Sequence, residues 1–485
     1  MAYIDSMRSN PIRSMHMVGL AGSGMSALAQ FYAMEGIRVS GSDRIFDNGG
    51  GSDMQHRLSK VGVRIVPQDG SGVVDGLDCI VLSTAVTDSN LDLDRARELG
   101  IQVKHRSDCL KEIVDSHKTV VIAGTSGKST VSAMTWEILS SNLDRVSVVT
   151  GGPIIRLRDE GFVGNAFNAN GEALVVEGDE SDGTLVKYEA PHLSVLLNLG
   201  KDHKEIEELE RIFGEFLRSS SSIRIFADAE NLARFRDPSF YEGGPRRPDI
   251  ATFGFASGDL RVEYIELTSY DSRFSIAGVR FSLPVPGRHN VFNALAAVSA
   301  AQAYGIPIER SAEVLGSFSG VYRRYQVLGE CDGIRVVDDF AHNPDKIRAA
   351  IATAQLDRTD QIDWSRVLAI YQPHGFFPTQ FLRSELVAAF LESLHPHDHL
   401  WLPDIYNASG PPDPSISSAD VIRPIAAAGR HARYVPTWTE LAGEVAAEAR
   451  PGDVVLVMGA RDPSLHDRAL GIFDAIRASH CSRLV

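Results

Sequence analysis

The sequence predicts an α/β protein of three domains in series, on three observations. The chain has 485 residues, about three times a common domain length of roughly 150. Short apolar runs alternate with helical patterns, as parallel βαβ units require. That alternation restarts twice, near Thr119 and near Arg323. The expected domains are therefore residues 1–117, 118–322 and 323–485.

In the first stretch, strands are expected at His16–Leu20, Arg38–Gly41, Val63–Val66, Cys79–Leu82 and around Val103, with helices over Met25–Glu35 and Leu91–Leu99. The second begins with the buried-strand run Thr119–Ala123 and a helix reaching Leu139. Strands follow at Ala173–Glu177, Leu193–Leu197 and Arg224–Ala227. Polar and apolar residues alternate over Gly258–Pro286, which predicts antiparallel strands before an apolar helix at Val291–Tyr304. In the third stretch, Arg335–Val337, Val367–Tyr371, His399–Leu402 and Asp453–Met458 read as strands. Asp345–Thr353, Glu385–Leu394 and Glu440–Ala449 read as helices, and Asn407–Ser418 as a surface loop.

Composition narrows the function. Hydrophobic residues make up 44% and charged residues 23%, ordinary for a soluble globular chain. Lys and Arg number 48 against 63 Asp and Glu, a net charge of −15, which disfavours nucleic acid and acidic membranes as partners. A small anion is still admissible, because helix N-termini bind phosphate without net positive charge. The cysteines at 79, 109, 331 and 481 form no CxxC pair and read as buried or incidental thiols. Residues 1–15 carry Asp5, Arg8 and Arg13 and no apolar run, so neither a signal peptide nor membrane insertion is expected, and the location is expected to be cytoplasmic.

The most informative segment is Gly124-Thr125-Ser126-Gly127-Lys128-Ser129-Thr130. A strand ends, glycines let the backbone amides curl around an anion, and a helix N-terminus adds partial positive charge. Lys128 is placed to reach β- and γ-phosphates, and Ser129 to offer a hydroxyl to Mg²⁺. Ile122 stands where the longer phosphate-loop spacing would put its first glycine. An earlier turn, Gly22-Ser23-Gly24-Met25-Ser26-Ala27, has the form G-x-G-x-x-A, with Asp43 at the end of the next strand. It fits NAD, a nucleotide-sugar diphosphate, or close helix–strand packing. The expected architecture is α/β, with Rossmann-like first and third domains and a P-loop ATPase-like mixed sheet in the centre.

Four carboxylates, Glu177, Asp179, Glu180 and Asp182, crowd another strand end, where a hard cation such as Mg²⁺ relieves their repulsion. Asp202-His203 follows a neighbouring strand. Asp338-Asp339-Phe340-Ala341-His342-Asn343-Pro344 follows a third-domain strand, and Arg323-Arg324 stand at the domain boundary, suited to phosphate. His395-Pro396-His397-Asp398-His399 reads as a turn, since no further ligand completes a metal set.

In this order the motifs resemble the Mur ligases, ATP-dependent amide-forming enzymes of peptidoglycan precursor synthesis, and their alanine-adding branch above all. The resemblance rests on GLAGSGMSALA with SGSD, GTSGKST, EGDESDGT, DH at 202–203, PGRHNVFNALAA, RRYQVLG, DDFAHNP and YQPHGF. It implies that Gly22, Ser23, Gly24 and Met25, with Asp43 and Ser83, hold the uridine diphosphate end of a UDP-N-acetylmuramate-type substrate. Gly124, Thr125, Ser126, Gly127, Lys128, Ser129 and Thr130 would serve ATP. Ser129, Glu177 and His203 would ligate Mg²⁺, Asn290 and Asn293 would lie near adenine, and Arg324 and Asp339 would reach ATP. Catalysis would fall to Lys128, Glu177, His203, Arg324 and His342, with His342 and His374 near the incoming amino acid.

The implied reaction joins an amino acid, L-alanine first, to UDP-N-acetylmuramate through an acyl phosphate, in a monomer or homodimer. Relatives of this kind have His at Ser126, Thr at Ser129, His at Asn343, and arginines at Gly375 and Pro378. No lysine lies between Lys204 and Arg224, so the carbamylated lysine of some relatives is not expected. The competing readings are addition of a recycled peptide, another carboxylate substrate, a silent nucleotide-binding relative, and an NAD-dependent oxidoreductase.

Overall fold

A computed structural model describes residues 12–180, 183–200, 205–356, 366–407, 413 and 415–481. They build three sheets. The first holds β1 (Ser14–Val18), β2 (Arg38–Ser42), β3 (Arg64–Ile65), β4 (Cys79–Leu82) and β5 (Gln102–His105) in the order β3-β2-β1-β4-β5, all parallel. The order reverses at β1, so the turn after it opens at the switch point where such sheets bind ligands.

The second sheet holds β6 (Lys118–Ala123), β7 (Val146–Val149), β8 (Ala166–Phe167), β9 (Ala173–Glu177), β10 (Leu193–Leu196), β11 (Ser222–Phe226), β12 (Asp249–Gly254), β13 (Leu260–Leu267), β14 (Ser272–Ile276) and β15 (Val279–Leu283). Its order is β15-β14-β13-β12-β11-β10-β6-β9-β7-β8. The central strand β6 is fully apolar after Thr119 and runs parallel to β9 and β10. Ala277 and Gly278, both at positive φ, join β14 to β15 in the hairpin geometry that the alternation predicts.

The third sheet holds β16 (Gln326–Cys331), β17 (Ile334–Asp339), β18 (Val367–Tyr371), β19 (His399–Leu402), β20 (His431–Tyr434) and β21 (Val454–Met458) in the order β16-β17-β21-β18-β19-β20. Only β16 runs antiparallel to its neighbour.

The chain forms two compact units divided between Val321 and Tyr322. The first contains the first two sheets apart from the end of β13 and the first residue of β14. The second contains the third sheet together with Glu266–Ser272 and Val285–His289. Within the first unit, helix α1 (Ser23–Met34) is tied to the second sheet by buried amides. Gln30 Nε2 donates to Asn165 Oδ1 at 2.7 Å, and Asn165 Nδ2 donates to the Ser23 carbonyl at 2.8 Å. Such fully paired buried polar groups fix one packing register.

Six further helices matter below: α2 (Arg106–Asp115), α3 (Lys128–Asn142), α4 (Arg288–Gln302), α5 (Pro344–Ala354), α6 (Phe376–Phe381) and α7 (Leu465–Ile476). Cys79 and Cys109 are buried free thiols, but Cys331 is disulfide-bonded, which the cysteine spacing does not reveal. Among the described residues, no helix is long and apolar enough to cross a membrane.

Candidate active site

The phosphate loop is a preformed cradle. Gly127 caps α3 in the left-handed region, φ 85°, and a β-carbon there would sit 2.7 Å from Asn293 Oδ1. A β-carbon on Gly124, at φ 141°, would meet Leu197 Cβ at 3.0 Å and the Asn198 amide nitrogen at 3.1 Å. Only glycine satisfies both demands. The side chain of Asn198, beyond the end of β10, stitches the loop. Its Oδ1 accepts from Thr125 Oγ1 and from the Ser126 amide, both at 2.9 Å, and its Nδ2 donates to the Ser126 carbonyl at 3.0 Å. The Ser126 amide is therefore already engaged, and the exposed Ser126 side chain adds no contact of its own to this lattice. Thr130 is buried in the first turn of α3.

Lys128 Nζ donates to Glu180 Oε2 at 2.5 Å, both side chains largely buried. Burial pushes the Glu180 carboxyl above its ordinary value, and Lys128 pulls it back only in part. Glu177, at the end of β9, is anchored by the loop after β7: its Oε2 accepts from the Gly151 amide at 2.7 Å and from Thr150 Oγ1 at 2.9 Å. The buried Ser129 hydroxyl borders the next glycine, where a β-carbon on Gly152 would lie 3.3 Å from it. The structure thus brings Ser129 and Glu177 to one short loop, and both present the hard oxygens that Mg²⁺ prefers. His203 lies outside the described residues, as do Asp202, Ser181 and Asp182. On α4, Asn293 Nδ2 donates to Asn290 Oδ1 at 3.2 Å, so the two expected adenine neighbours form one buried pair beside Gly127.

The first glycine turn is held by Asp43. Its Oδ2 accepts from the Ala21 amide at 2.9 Å and its Oδ1 from the Ile45 amide at 2.8 Å. Asp43 is therefore a bracket for the turn and a cap for the helix Arg44–Asp47. Gly22 and Ser23 are exposed, whereas the Met25 side chain is buried in the core, leaving only its backbone for a ligand. A β-carbon on Gly24 would lie 2.4 Å from an Arg106 guanidinium nitrogen, so this cation, from the start of α2, rests on the first turn of α1. Ser83 follows β4 and its hydroxyl accepts from the Ala85 amide at 3.4 Å.

In the second unit, the residues converge beyond the carboxyl ends of β17, β21 and β18. Arg323 is the buried member of the arginine pair. Its Nε donates to both oxygens of Asp338 at 3.1 Å, and its NH2 donates to the Gly459 carbonyl at 2.7 Å. Arg324 instead lies over the Phe340 ring, 5.0 Å from its centroid. Asp339 accepts from the Tyr325 amide at 2.6 Å and the Ala341 amide at 2.7 Å, and burial drives its carboxyl upward against the pull of Arg324. Its task here is to hold the turn in which Arg323 and Tyr325 adopt positive φ.

His342 and His374 face each other edge to face, ring centroids 5.6 Å apart. His342 Nδ1 is 2.8 Å from the Phe340 carbonyl, which fixes Nδ1 as the protonated nitrogen and leaves Nε2 as an acceptor. Burial, then Lys346, press its pKa down to about 3. Asn343 caps α5 through the Lys346 amide, and Pro344 opens that helix. The turn at 395–398 is structural: Asp398 accepts from the Val367 and His395 amides at 2.8 Å. No cluster of three metal-ligating side chains occurs among the described residues.

Sequence reasoning passed over Asn198, Arg106 and the specific partnership of Glu180. Asn198 is legible only as the residue ending an apolar strand, and nothing local to Arg106 marks it, since its contact is made 82 residues away.

Two glycine turns at strand ends, one cradling a lysine beside carboxylates, define a nucleotide-using α/β enzyme. Comparison with known proteins makes this specific. Residues 14–118 match the Mur ligase family catalytic domain, 122–301 the Mur ligase middle domain, and 323–461 the Mur ligase glutamate ligase domain. The chain is 34% identical to a UDP-N-acetylmuramate–L-alanine ligase of Acidithiobacillus ferrooxidans, over 93% of this chain and 96% of the relative. It is 32% identical to the enzyme of that name from Pelotomaculum thermopropionicum, over 93% and 95%. The fold is that of the UDP-N-acetylmuramate-alanine ligase of Thermotoga maritima, with a TM-score of 0.77 at 24% identity, covering 96% of this chain and 99% of that one. A murein peptide ligase from Psychrobacter arcticus aligns with a TM-score of 0.65 at 21% identity, covering 96% and 98%. The chain belongs to the Mur ligase family. It is an ATP-dependent ligase that forms amide bonds.

Proposed function

We propose that the chain joins an amino acid to the carboxylate of a UDP-N-acetylmuramate-type nucleotide sugar, splitting ATP to ADP and phosphate. L-alanine, the amino acid in the relatives' names, is the acceptor those names support. The observation that carries the reading is the Lys128 cradle, built at a strand end in the middle of a chain that matches the family in all three segments.

A carboxylate is a poor acyl donor because its oxygen leaves badly. Its attack on the γ-phosphorus of ATP releases ADP and yields an acyl phosphate. The neutral amine then adds to the acyl carbon, phosphate departs as the C–O bond breaks, and the proton lost from nitrogen passes to the departing phosphate or to solvent. The loop amides and Lys128 stabilise charge on the transferred phosphoryl group. Mg²⁺ would neutralise phosphate charge, held by Ser129, Glu177 and His203. Arg324 adds a guanidinium suited to phosphate oxygens. His342, neutral and with Nε2 as acceptor, orients the incoming amine. Gly22 to Gly24 and Arg106 receive the diphosphate of the nucleotide sugar.

The deciding measurement is phosphate release from MgATP with UDP-N-acetylmuramate and each amino acid in turn. Release that needs both partners supports the reading. Release with UDP-N-acetylmuramate and a peptide but no free amino acid would move the chain to the peptide-adding branch, and none at all from folded protein would reject it.

A further inference from the structure

The arginine turn of the second unit is held more tightly than a simple chain reversal requires. Arg323 and Tyr325, on either side of Arg324, adopt positive φ of 57° and 50°. Left-handed backbone is strained for a residue with a β-carbon, and it persists only where the surroundings over-determine it. At Arg323 they do. Its amide donates to Gln326 Oε1 at 3.0 Å, and its carbonyl accepts from the Phe340 amide at 2.7 Å. Its guanidinium spans Asp338 and the Gly459 carbonyl. The Arg323 and Arg324 guanidinium carbons lie 5.3 and 5.0 Å from the centroid of one ring, Phe340, which registers the two arginines against each other.

Against this turn stands His466, the second residue of α7. Its Nδ1 lies 2.8 Å from Asp338 Oδ2, the same oxygen that accepts from Arg323 Nε at 3.1 Å. An ionised carboxylate only accepts, so Nδ1 carries the proton. The His466 ring also packs on Tyr322, with centroids 4.6 Å apart and planes inclined at 48°. His466 therefore touches the turn twice, through the residue before Arg323 and through the anion that anchors Arg323. Asp338 is fully buried and Arg323 nearly so. A buried carboxylate that loses one of its donors is left short of compensation, and its grip on the remaining partner changes.

We propose that His466 is a positioning residue for phosphoryl transfer: through Asp338 and Tyr322 it holds Arg323 in the left-handed conformation and so sets where Arg324 meets the phosphates of ATP. The proposal rests on the ligase reading above. His466 acts through Arg324, and that fixes the form of the test.

The full-length protein is measured for MgATP affinity by calorimetry, and for ADP formation with UDP-N-acetylmuramate and the amino acid that supports turnover. Two variants separate the two contacts. His466→Phe keeps a ring against Tyr322 and loses the donor to Asp338. His466→Asn loses the ring and keeps a donor close to the place of Nδ1. His466→Phe is expected to weaken MgATP binding and to lower kcat/KM for ATP by about tenfold, the equivalent of one hydrogen bond to a charged group. The KM for the amino acid should not move, and His466→Asn should recover most of the loss. In an Arg324→Ala background, adding His466→Phe should change MgATP affinity by no more than about twofold, because the group it positions is gone. Thermal melts check that each variant folds, and His466→Ala replaces the phenylalanine variant if that one does not. Native ATP affinity and kcat/KM in the folded variant overturn the proposal and keep the ligase. So does an equal loss with and without Arg324, which would make His466 a support of the fold alone, and so does an asparagine variant as impaired as the phenylalanine one. A native protein that neither binds MgATP nor turns it over overturns the ligase reading itself.

Discussion

The phosphate loop of the first unit and the acceptor edge of the second are both strand–glycine–helix turns, yet they are built on opposite principles. At Gly124–Gly127 the glycines admit close neighbours, Asn293 and Asn198, and the turn is locked by side-chain hydrogen bonds around a lysine. At Gly375 the glycine admits a proline, and the turn ends in a bare aromatic face. The first arrangement is rigid and charged, the second apolar. Under the proposed function the phosphate loop would serve ATP and the turn at Gly375 would lie on the side of the incoming amine.

The largest effect expected from this contrast is at Lys128. Lys128→Ala removes the cation that the phosphate loop carries and should lower ADP formation by about 100-fold or more, the scale seen when one transition-state donor is lost. Activity within a few-fold of the native protein would break the assignment of the cradle to ATP.

Next in size is Glu137, on the helix that the loop opens. It is buried and its Oε1 has no hydrogen-bond partner among the described residues. Burial raises its pKa to about 7, against the lowering pull of Arg156. A carboxyl raised in this way stabilises the fold fully below its ordinary pKa near 4.5, and that stability drains as pH climbs through 7. The loss is about 3 kcal/mol by pH 8. Glu137→Gln should therefore gain up to about that much in urea unfolding at pH 8 and almost nothing at pH 4. Equal effects at the two pH values would show that Glu137 is ionised throughout.

At the acceptor edge the matching prediction is smaller. Gly375→Arg puts a cation where arginine-bearing relatives carry one, but at a glycine-only φ and against Pro378. It should cost about 1–3 kcal/mol of stability and should not raise turnover with L-alanine. A stable variant with improved L-alanine use would show that the turn is free to rearrange.

How much of this was legible in the sequence follows the range of the forces involved. β4, β9, β18 and β19 match the expected strands to the residue, because an apolar run bounded by turn residues carries its own signal. β20, the edge strand His431–Tyr434, was not expected: its sequence HARY has no apolar run, and its place comes from backbone pairing with β19. The glycine turns were legible as local chemistry. Their fixings were not, since Asn198 reaches the loop from 72 residues away and Asp43 accepts from the Ala21 and Ile45 amides, one on each oxygen. The aromatic stack was hidden for another reason. Phenylalanines four apart ordinarily mark a buried helix face, and only the exposure of Phe377 and Phe381 separates the two cases.

The smallest effect sharpens the comparison most, because it asks whether the cradle is rigid in its lysine as well as in its backbone. Lys128 now spends its charge on Glu180 at 2.5 Å, and ATP would have to draw it away. A charge-assisted hydrogen bond of this kind contributes about 1.5–3 kcal/mol. Part of that returns when the lysine meets a phosphate, so the net penalty on binding is about 1.4 kcal/mol, or roughly tenfold. Glu180→Gln keeps the shape, removes the competing charge and also removes a carboxyl that burial disfavours. ATP should then bind about tenfold tighter by calorimetry, with KM for ATP falling and kcat reduced if Glu180 re-engages the lysine during turnover. Weaker ATP binding would give the opposite answer: Glu180 would belong with Glu177 among the groups that hold the metal and its phosphates, and the Lys128–Glu180 pair would be part of the binding site rather than its competitor.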